Sequence, residues 1–188
     1  LATEVISVDG KVIGKYYSQN RSNVTYADLP KCLVDALMAT EDIRFHEHTG
    51  VDLKAIARAV SGVFAGGKGG GSTITQQLAK NLFLSGERSY LRKGEELIIT
   101  YMLEMCLDKE RILEIYLNVV EWGVGVFGAE AASQHYYGIS AANLSVPQAA
   151  RLGVMLPKPR YYDKNQGSAY LQKRADLIMR RMNYAELP

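Results

Sequence analysis

The sequence has little of what marks several common classes of protein. Its 188 residues include two cysteines, and Cys32 and Cys106 fit neither a CxxC motif nor metal-ligand spacing. A zinc site is therefore not indicated, and we expect both thiols to be buried. The 22 basic and 20 acidic residues give a net charge of +2, which is too balanced to predict nucleic acid as a partner.

Long apolar runs are also missing. No stretch of about 18 apolar residues occurs, so the sequence itself contains no candidate for a membrane-spanning helix. The sequence begins at Leu1 without an initiating methionine, and we expect it to be part of a longer protein.

What the sequence does contain is enough apolar material for a core and a strong helical pattern. Hydrophobic residues make up 47% of the chain. Two β-rich runs within residues 5–17 flank Asp9-Gly10, which predicts a hairpin. We therefore expect a hairpin segment over residues 1–27 and one mainly α domain over 28–188.

Helical periodicity and capping residues predict the elements of that domain. Helices are expected from Asp28 and from Ser72, and over 52–65, 90–107, 129–137, 146–156 and 168–183. Asp108 is expected to cap a further helix, whereas Pro157 and Pro159 should end the helix that precedes them. The predicted buried residues of the first helix are Leu33, Leu37 and Met38, and those of the 90–107 helix are Leu91, Ile98, Met102 and Met105. The glycine-rich stretch GGKGGGST (66–73) predicts a mobile loop, and the helix before it could equally be core or touch a membrane surface.

The first candidate for chemistry is Glu41. It follows Leu37 by four residues and Met38 by three, so it lies on the apolar face of its helix, at the end. Partial desolvation there should raise its pKa and suit a general base working near neutral pH. Asp42 should point elsewhere and cap or orient the turn. By pattern alone, an ordinary charged helix terminus remains an alternative.

A polar cluster follows the glycines at the start of a helix. Free amides and the positive end of the helix dipole favour an anion at such a position, and Lys80 is spaced to share a face with two glutamines. A capped, solvated helix face is the alternative reading. The cluster consists of Ser72, Thr73, Thr75, Gln76 and Gln77.

A third candidate is the basic run ERSYLRKGEE at 87–96. Arg88, Arg92 and Lys93 are grouped by helical spacing, and Glu96 follows Arg92 at i+4. The run could be a surface salt-bridge ladder or a cationic cradle for a pyrophosphate with a carboxylate beside it. By contrast, His46 and His48 lack metal-site spacing, and GxxxxGK at 62–68 lacks the Ser or Thr of a P-loop.

Several of these segments, taken in order, resemble glycosyltransferase family 51. This family comprises the monofunctional peptidoglycan glycosyltransferases and the glycosyltransferase domain of class A penicillin-binding proteins. The resemblance covers about 28–183. It is carried by EDIRFHEHTG (41–50), GGSTITQQLAKN (70–81), RKGEE (92–96), ILEIYLN (112–118), EWGVGVFGAEAAS (121–133) and QAARLGVMLPKP (148–159).

The resemblance implies a lysozyme-like helical fold with a smaller membrane-associated lobe, and lipid II as the substrate. Glu41 would take the proton from the acceptor 4-hydroxyl, whose oxygen displaces undecaprenyl pyrophosphate with inversion. Glu96 would orient the leaving group or assist a metal in binding it. No cofactor is obligatory, although Mg²⁺ or Mn²⁺ is compatible. The implied substrate-binding residues are Asp42, Ser72, Thr73, Gln76, Gln77, Lys80, Asn81, Arg88, Arg92 and Lys93.

The family also implies where such a protein works and what it meets. We expect the bacterial cell envelope, at the extracytoplasmic face of the inner membrane, with an N-terminal transmembrane anchor. Expected partners are lipid-linked glycan, the outer leaflet of the cytoplasmic membrane, moenomycin as an inhibitor, and cell-wall synthesis or division proteins.

Two positions depart from the family pattern, and two other functions stay open. Glu95 stands where Lys is frequent, and Lys158 stands in LPKP where Asn is usual. A lysozyme-like hydrolase or lytic transglycosylase would cut glycan and would have no pyrophosphate to bind. An inactive domain would bind lipid-linked precursor without turnover, but both glutamates that such a domain could lose are present here.

Overall fold

The protein is mainly helical. The structure, a computed structural model, describes residues 3–9, 12–16, 23–64, 71–84 and 89–182. Nine α-helices and two small antiparallel sheets lie within these ranges, which confirms the expected fold class. Their bounds are β1 (Thr3–Ile6), β2 (Val12–Tyr16), α1 (Lys31–Glu41), α2 (Leu53–Phe64), α3 (Ile74–Phe83), α4 (Tyr90–Cys106), α5 (Lys109–Val119), β3 (Glu121–Gly123), β4 (Val126–Phe127), α6 (Ala129–Tyr137), α7 (Val146–Met155), α8 (Pro159–Lys164) and α9 (Ala169–Met182).

The N-terminal hairpin is confirmed, and the segment after it is fixed to the helical part. Strands β1 and β2 pair antiparallel with Glu4 opposite Lys15, while residues 10 and 11 of the turn lie outside the described residues. The Asn118 side chain accepts from the Val24 amide at 2.9 Å and donates to the Val24 carbonyl at 2.8 Å. The division between 1–27 and 28–188 therefore stays a prediction, since residues just before it are bonded to α5.

Helix α1 is the centre of the core. Pro30 precedes it and Lys31 begins it, in keeping with the tolerance of proline at helix starts. Leu33 and Leu37 are fully buried, as predicted, and α1 packs against both α7 and α9. Gly153 of α7 allows the close approach, because a Cβ there would lie 3.0 Å from the Ala36 carbonyl oxygen.

The predicted buried face of α4 is wrong. The stripe Leu91, Ile98, Met102 and Met105 is exposed, with Leu91 at 83% and Met105 at 87%. Helix α4 instead packs on α3 and α5 through a different stripe, in which Glu96 and Thr100 are buried and Leu103 and Leu107 contact the core.

The apolar face of α4 therefore points to the surface, while Glu96 and Thr100 lie on the packed side. Leu53 and Ile56 of α2 are exposed as well. None of the helices in the described part of the chain is long and apolar enough to cross a bilayer.

Two local expectations also differ from the structure. Pro159 does not end a helix but begins the short helix α8. Proline is tolerated there because it lacks only an amide hydrogen, which a first-turn residue leaves unpaired in any case. Cys106 is exposed and Cys32 is half-buried, and both are free thiols. The exposure of Cys106 follows from its place at the end of α4, next to the exposed Met105.

Candidate active site

Glu41 is the last residue of α1, and its carboxyl group is half-buried. Burial raises the pKa of Glu41 above its usual value of 4.5; the hydrogen bond from Gln77 lowers it, Asp42 raises it and Lys80 lowers it. The net direction is upward, because removal from water disfavours the charged form. This confirms the desolvated carboxyl that the helical spacing predicts.

Gln77 holds that carboxyl in place. Its Nε2 donates to Glu41 Oε2 at 2.7 Å, and its Oε1 accepts from the Tyr116 hydroxyl at 2.9 Å. Tyr116 is fully buried in α5, and burial raises its pKa well above 10, with Glu41 adding to the effect. The phenol therefore stays protonated and fixes which end of the Gln77 amide faces the carboxylate.

Two clefts meet at Glu41. The larger, about 850 Å³, contains Lys80 and is called the Lys80 cleft below. The smaller, about 490 Å³, contains Arg58 and is called the Arg58 cleft. Thr40, Glu41 and Ser72 line both. A carboxyl between two cavities can face one reactant on each side.

Asp42 is buried and has a different role from Glu41. Its Oδ2 accepts from the Ile74 amide at 3.1 Å, and its carboxylate bonds His48 Nε2 at 3.0 Å. Asp42 therefore ties the end of α1 to the start of α3, which matches the expectation that it orients the turn. It also borders the Arg58 cleft.

Thr73 and Gln76 build the start of α3. Thr73 is the N-cap, and the two residues form a capping box, with Gln76 N to Thr73 Oγ1 and Thr73 N to Gln76 Oε1 both at 3.1 Å. Thr73 Oγ1 also donates to the Gly50 carbonyl at 2.6 Å. Both side chains are buried; Thr73 still borders the Arg58 cleft, whereas Gln76 lines neither cleft.

The remaining residues of the polar cluster, and the neighbouring Lys80 and Asn81, also divide into residues that line a cleft and residues that do not. Ser72 lines both clefts, and Gln77 and Lys80 line the Lys80 cleft. Asn81 is exposed and lines neither. Thr75 is buried and donates to Glu104 Oε1. The structure therefore brings Ser72, Gln77 and Lys80 to Glu41 but not the whole cluster.

The described residues of the basic run at 87–96 line neither cleft. Lys93 Nζ forms an ion pair with the buried carboxylate of Glu96, and Arg92 Nε is buried without a hydrogen-bond partner in the described part of the chain. Arg92, Lys93 and Glu96 are not among the residues that line either cleft. Arg88 lies outside the described residues. The structure therefore gives Glu96 a cationic partner but does not place it beside Glu41.

The described residues do not fit a metal held by the protein. No three His, Cys, Asp or Glu side chains converge within the described ranges. Glu96 already accepts from the Lys93 ammonium group, and a neighbouring cation disfavours a second positive charge at the same carboxylate.

The structure adds residues to the site that the sequence reasoning did not select. Lys158, Tyr161, Tyr162, Tyr170 and Arg174 all line the Lys80 cleft. They come from α8, the turn before it and α9, more than 75 positions after Lys80. Of these five residues, only Lys158 was noticeable in the sequence, because it stands where the family pattern usually has asparagine.

A partly buried ion pair supports the other side of the site. Glu104 of α4 accepts from Lys109 at 2.7 Å, and Lys109 Nζ also donates to the His48 carbonyl at 2.7 Å and lies 4.3 Å from the centre of the Phe45 ring. These contacts fix the loop that follows Glu41 against α4 and α5. Nothing in the spacing of Glu104 and Lys109 distinguishes them from a surface pair.

The chain is similar in sequence to several known proteins. A curated protein from Janthinobacterium sp. (strain Marseille), called biosynthetic peptidoglycan transglycosylase, is 65% identical over 167 residues, which cover 88% of this chain and 72% of that protein. A protein of the same name from Bordetella avium is 57% identical over 171 residues, with 88% and 71% covered.

A solved structure of penicillin-binding protein 1A from Haemophilus influenzae matches with a TM-score of 0.45 and 21% identity, covering 99% of this chain and 18% of that one. The family model described as Transglycosylase matches residues 9–183. The chain therefore belongs to the transglycosylase family.

Proposed function

We propose that the protein is a peptidoglycan glycosyltransferase that polymerises lipid II into glycan strands for the bacterial cell wall, with Glu41 as general base. Membership of the transglycosylase family and the names of the relatives support the activity. The observation that carries the role of Glu41 is its carboxyl group, half-buried between two clefts and held by Gln77.

The chemistry needs a base and a cation near one another. The acceptor 4-hydroxyl gives its proton to Glu41 while its oxygen bonds to the anomeric carbon of the donor sugar. The bond from that carbon to the pyrophosphate oxygen breaks, and the configuration inverts. A raised pKa brings the carboxyl closer to the working pH, which favours general-base catalysis. Undecaprenyl pyrophosphate leaves with its negative charge.

Lys80 is the cation best placed to act in this step. It lines the same cleft as Glu41, and cations aimed at developing phosphate charge lower the barrier to its departure. Arg92, Lys93 and Arg88 remain proposed ligands of the same pyrophosphate. Because Lys93 is bonded to Glu96, we assign Glu96 the role of orienting that lysine.

The experiment is polymerisation of labelled lipid II, followed as a ladder of product lengths on a gel. The wild-type protein should give a ladder that moenomycin abolishes. Glu41→Gln should fold normally and lose about 10²–10⁴-fold in rate, the usual contribution of a general base. Glu47→Gln, a change at a nearby exposed glutamate, is the matched control and should polymerise normally.

Other outcomes would point elsewhere. Cleavage of preformed glycan without a ladder would identify a hydrolase, and lipid II binding without reaction would identify a precursor-binding domain. Substantial activity in Glu41→Gln would remove Glu41 from the base role. Parallel lanes with Mg²⁺, Mn²⁺ and chelator test whether a divalent cation assists the leaving group.

The activity places the protein at the cell envelope. Within it, we propose the extracytoplasmic face of the inner membrane, where a lipid-linked substrate would be reached from the outer leaflet. The exposed apolar side chains of α4 and α2 support membrane contact by the lobe that carries them. Fractionation of cells carrying the full-length protein tests this location.

A further inference from the structure

The Lys80 cleft has more positive charge than its one carboxylate can neutralise. Lys80, Lys158 and Arg174 line it, and Glu41 is its sole acidic lining residue in the described part of the chain. Several other described cations have acidic partners, for example Arg44 with Asp52 and Lys109 with Glu104.

The side chains of Lys158 and Arg174 form no hydrogen bond or ion pair within the described ranges. A cleft with unpaired cations favours an anionic ligand, because the ligand supplies the missing counter-charge.

Lys158 extends from a backbone that is fixed on both sides. Its amide donates to the Met155 carbonyl at 3.0 Å, and its own carbonyl accepts from the amides of Tyr161 and Tyr162 at 3.1 Å. Helix α8 is in turn held by Asp163, which accepts from the Val124 amide at 3.0 Å. Little backbone entropy is therefore lost when the lysine binds a ligand.

Arg174 comes from a second fixed element. Helix α9 packs against α1 and α7, and Leu171 and Ala175 on either side of Arg174 are buried. The two cations therefore belong to different elements attached to the same core that holds Glu41. Their shared cleft does not depend on a loop closing.

Two tyrosines complete the wall. Tyr161 and Tyr170 line the cleft with 56% and 59% of their surface exposed. An exposed aromatic ring offers a flat apolar surface with a polar hydroxyl at its edge, which suits a ligand that is apolar on one face and polar at its rim. A sugar ring has this character. Tyrosines and unpaired cations together favour a sugar that bears an anionic group.

We propose that Lys158 is a substrate-binding residue, which with Arg174 binds an anionic group of the saccharide substrate in the Lys80 cleft. This rests on the proposed function, which supplies a substrate of that kind. The anionic oxygens could belong to the diphosphate or to carboxylates of the attached peptide. Lys158 stands where the family pattern usually has asparagine, so this contact is not expected in members that keep the asparagine.

The test measures binding rather than turnover. Dissociation constants for fluorescent lipid II are measured in detergent micelles with the Glu41→Gln protein as parent. Adding Lys158→Asn or Lys158→Ala should weaken binding about tenfold, as expected for the loss of one charge-assisted hydrogen bond. Lys158→Arg should restore it. Lys173→Ala, a change at an exposed lysine of α9 outside the cleft lining, is the matched control and should bind as the parent does.

A second ligand, a form of lipid II that lacks the peptide, distinguishes the diphosphate from the peptide carboxylates as the anionic group. If the effect of Lys158→Asn disappears with that ligand, the peptide carboxylates are the partner. If the effect persists, the diphosphate is the partner. Both results support the proposal, and so does a weaker salt dependence in the Lys158 variants, since salt screens charged contacts.

Equal affinity of Lys158→Asn and its parent for both ligands would overturn the proposal, as would an absence of lipid II binding by the parent. The first result can be obtained whether or not the wild-type protein makes a glycan ladder, whereas the second would also contradict the proposed function. Thermal melts of all variants exclude unfolding as the cause of weak binding.

Discussion

Gln77 Nε2 donates a hydrogen bond of 2.7 Å to Glu41 Oε2, while the other end of the Gln77 amide is bonded to the buried Tyr116 hydroxyl. The base is therefore oriented by an amide that is itself oriented from the core. Such a contact stabilises the charged carboxylate and opposes the effect of burial.

Removing this contact should shift the pH dependence of catalysis. Burial holds the pKa of Glu41 above 4.5 and the Gln77 hydrogen bond lowers it, so Gln77→Leu should raise that pKa further. The acidic limb of the kcat/KM profile should then move to higher pH, and kcat should fall roughly tenfold, the worth of a hydrogen bond to a charged group. The profile is measured from pH 4 to 9.

Tyr116→Phe is the companion variant, since it keeps the Gln77 amide but loses its anchor. We expect a smaller movement of the acidic limb in the same direction. An unchanged limb in Gln77→Leu would mean that Gln77 does not act on Glu41 during turnover.

Glu41 should reduce stability at neutral pH. Its pKa in the folded protein is raised, so the folded state binds more protons than the unfolded state once the pH exceeds the unfolded value. The stabilising contribution of Glu41 is fully present below about pH 4.5, and it is lost as the pH rises through the pKa of Glu41 in the folded protein. Glu41→Gln should therefore melt at a higher temperature than wild type at pH 7 to 8, with a smaller difference at pH 4. Calorimetry from pH 4 to 8 measures both melting temperatures. A difference between the two proteins that stays constant with pH would contradict the raised pKa of Glu41.

Asp163 should fix the wall that α8 contributes to the Lys80 cleft. It accepts from the Val124 amide, from His135 Nε2 at 2.9 Å and from the Tyr136 hydroxyl at 3.1 Å. Asp163→Asn should cost about 0.5–1.5 kcal/mol of stability, the usual net worth of a hydrogen bond, because its contacts with Val124 and His135 are exposed. It should also raise KM more than it lowers kcat, because Tyr161 and Tyr162 of α8 line the cleft.

The pH dependence of that variant gives an independent check. Burial by itself would raise the pKa of Asp163, but the hydrogen bonds from Val124, His135 and Tyr136 outweigh it and hold the pKa below 3.8. The stability that Asp163 contributes is thus present above 3.8 and lost as the pH falls through the folded pKa. Melting curves of wild type and Asp163→Asn should converge in acid. Asp176→Asn is the control on α9.

Gly50 should tolerate no side chain. Its φ is +85°, and a Cβ would lie 2.6 Å from Thr100 Cγ2. Gly50→Ala should lower the free energy of unfolding by about 1–3 kcal/mol, as overpacking does. Gly94→Ala is the control: Gly94 lies in α4 with nothing within 4 Å of an added Cβ, and the change should stabilise by about 0.5–1 kcal/mol. Urea denaturation measures both, and a neutral Gly50→Ala would show that the loop can move away from α4.

Some of the site could be predicted because it depends on local spacing. Glu41 follows Leu37 and Met38 at helical intervals, and α1 buries the face that carries them, so desolvation of the carboxyl follows from the sequence. The cap at Asp108 was predictable for the same reason, since it accepts from the Arg111 amide three residues later. Interactions within one helical turn require no knowledge of the rest of the chain.

Other parts depended on which helix packs on which. Periodicity identified an apolar stripe on α4 but could not show that Glu96 and Thr100 lie on the packed side, because Gly50 and the loop around it contact that side. Likewise, Gln76 and Gln77 are adjacent and chemically alike. Yet Gln76 closes a capping box and Gln77 bonds Glu41, and a rotation of about 100° per residue separates them.

The sequence by itself determined the helices, the position of Glu41 at the end of an apolar face and, through its ordered motifs, the family. The tertiary structure alone decided that Lys158 and Arg174 share a cleft with Lys80 and that Glu96 does not. Helical periodicity is a property of neighbouring residues, whereas a cleft is formed by elements far apart in the chain. Their meeting depends on the packing of α1, α7 and α9, which no local pattern encodes.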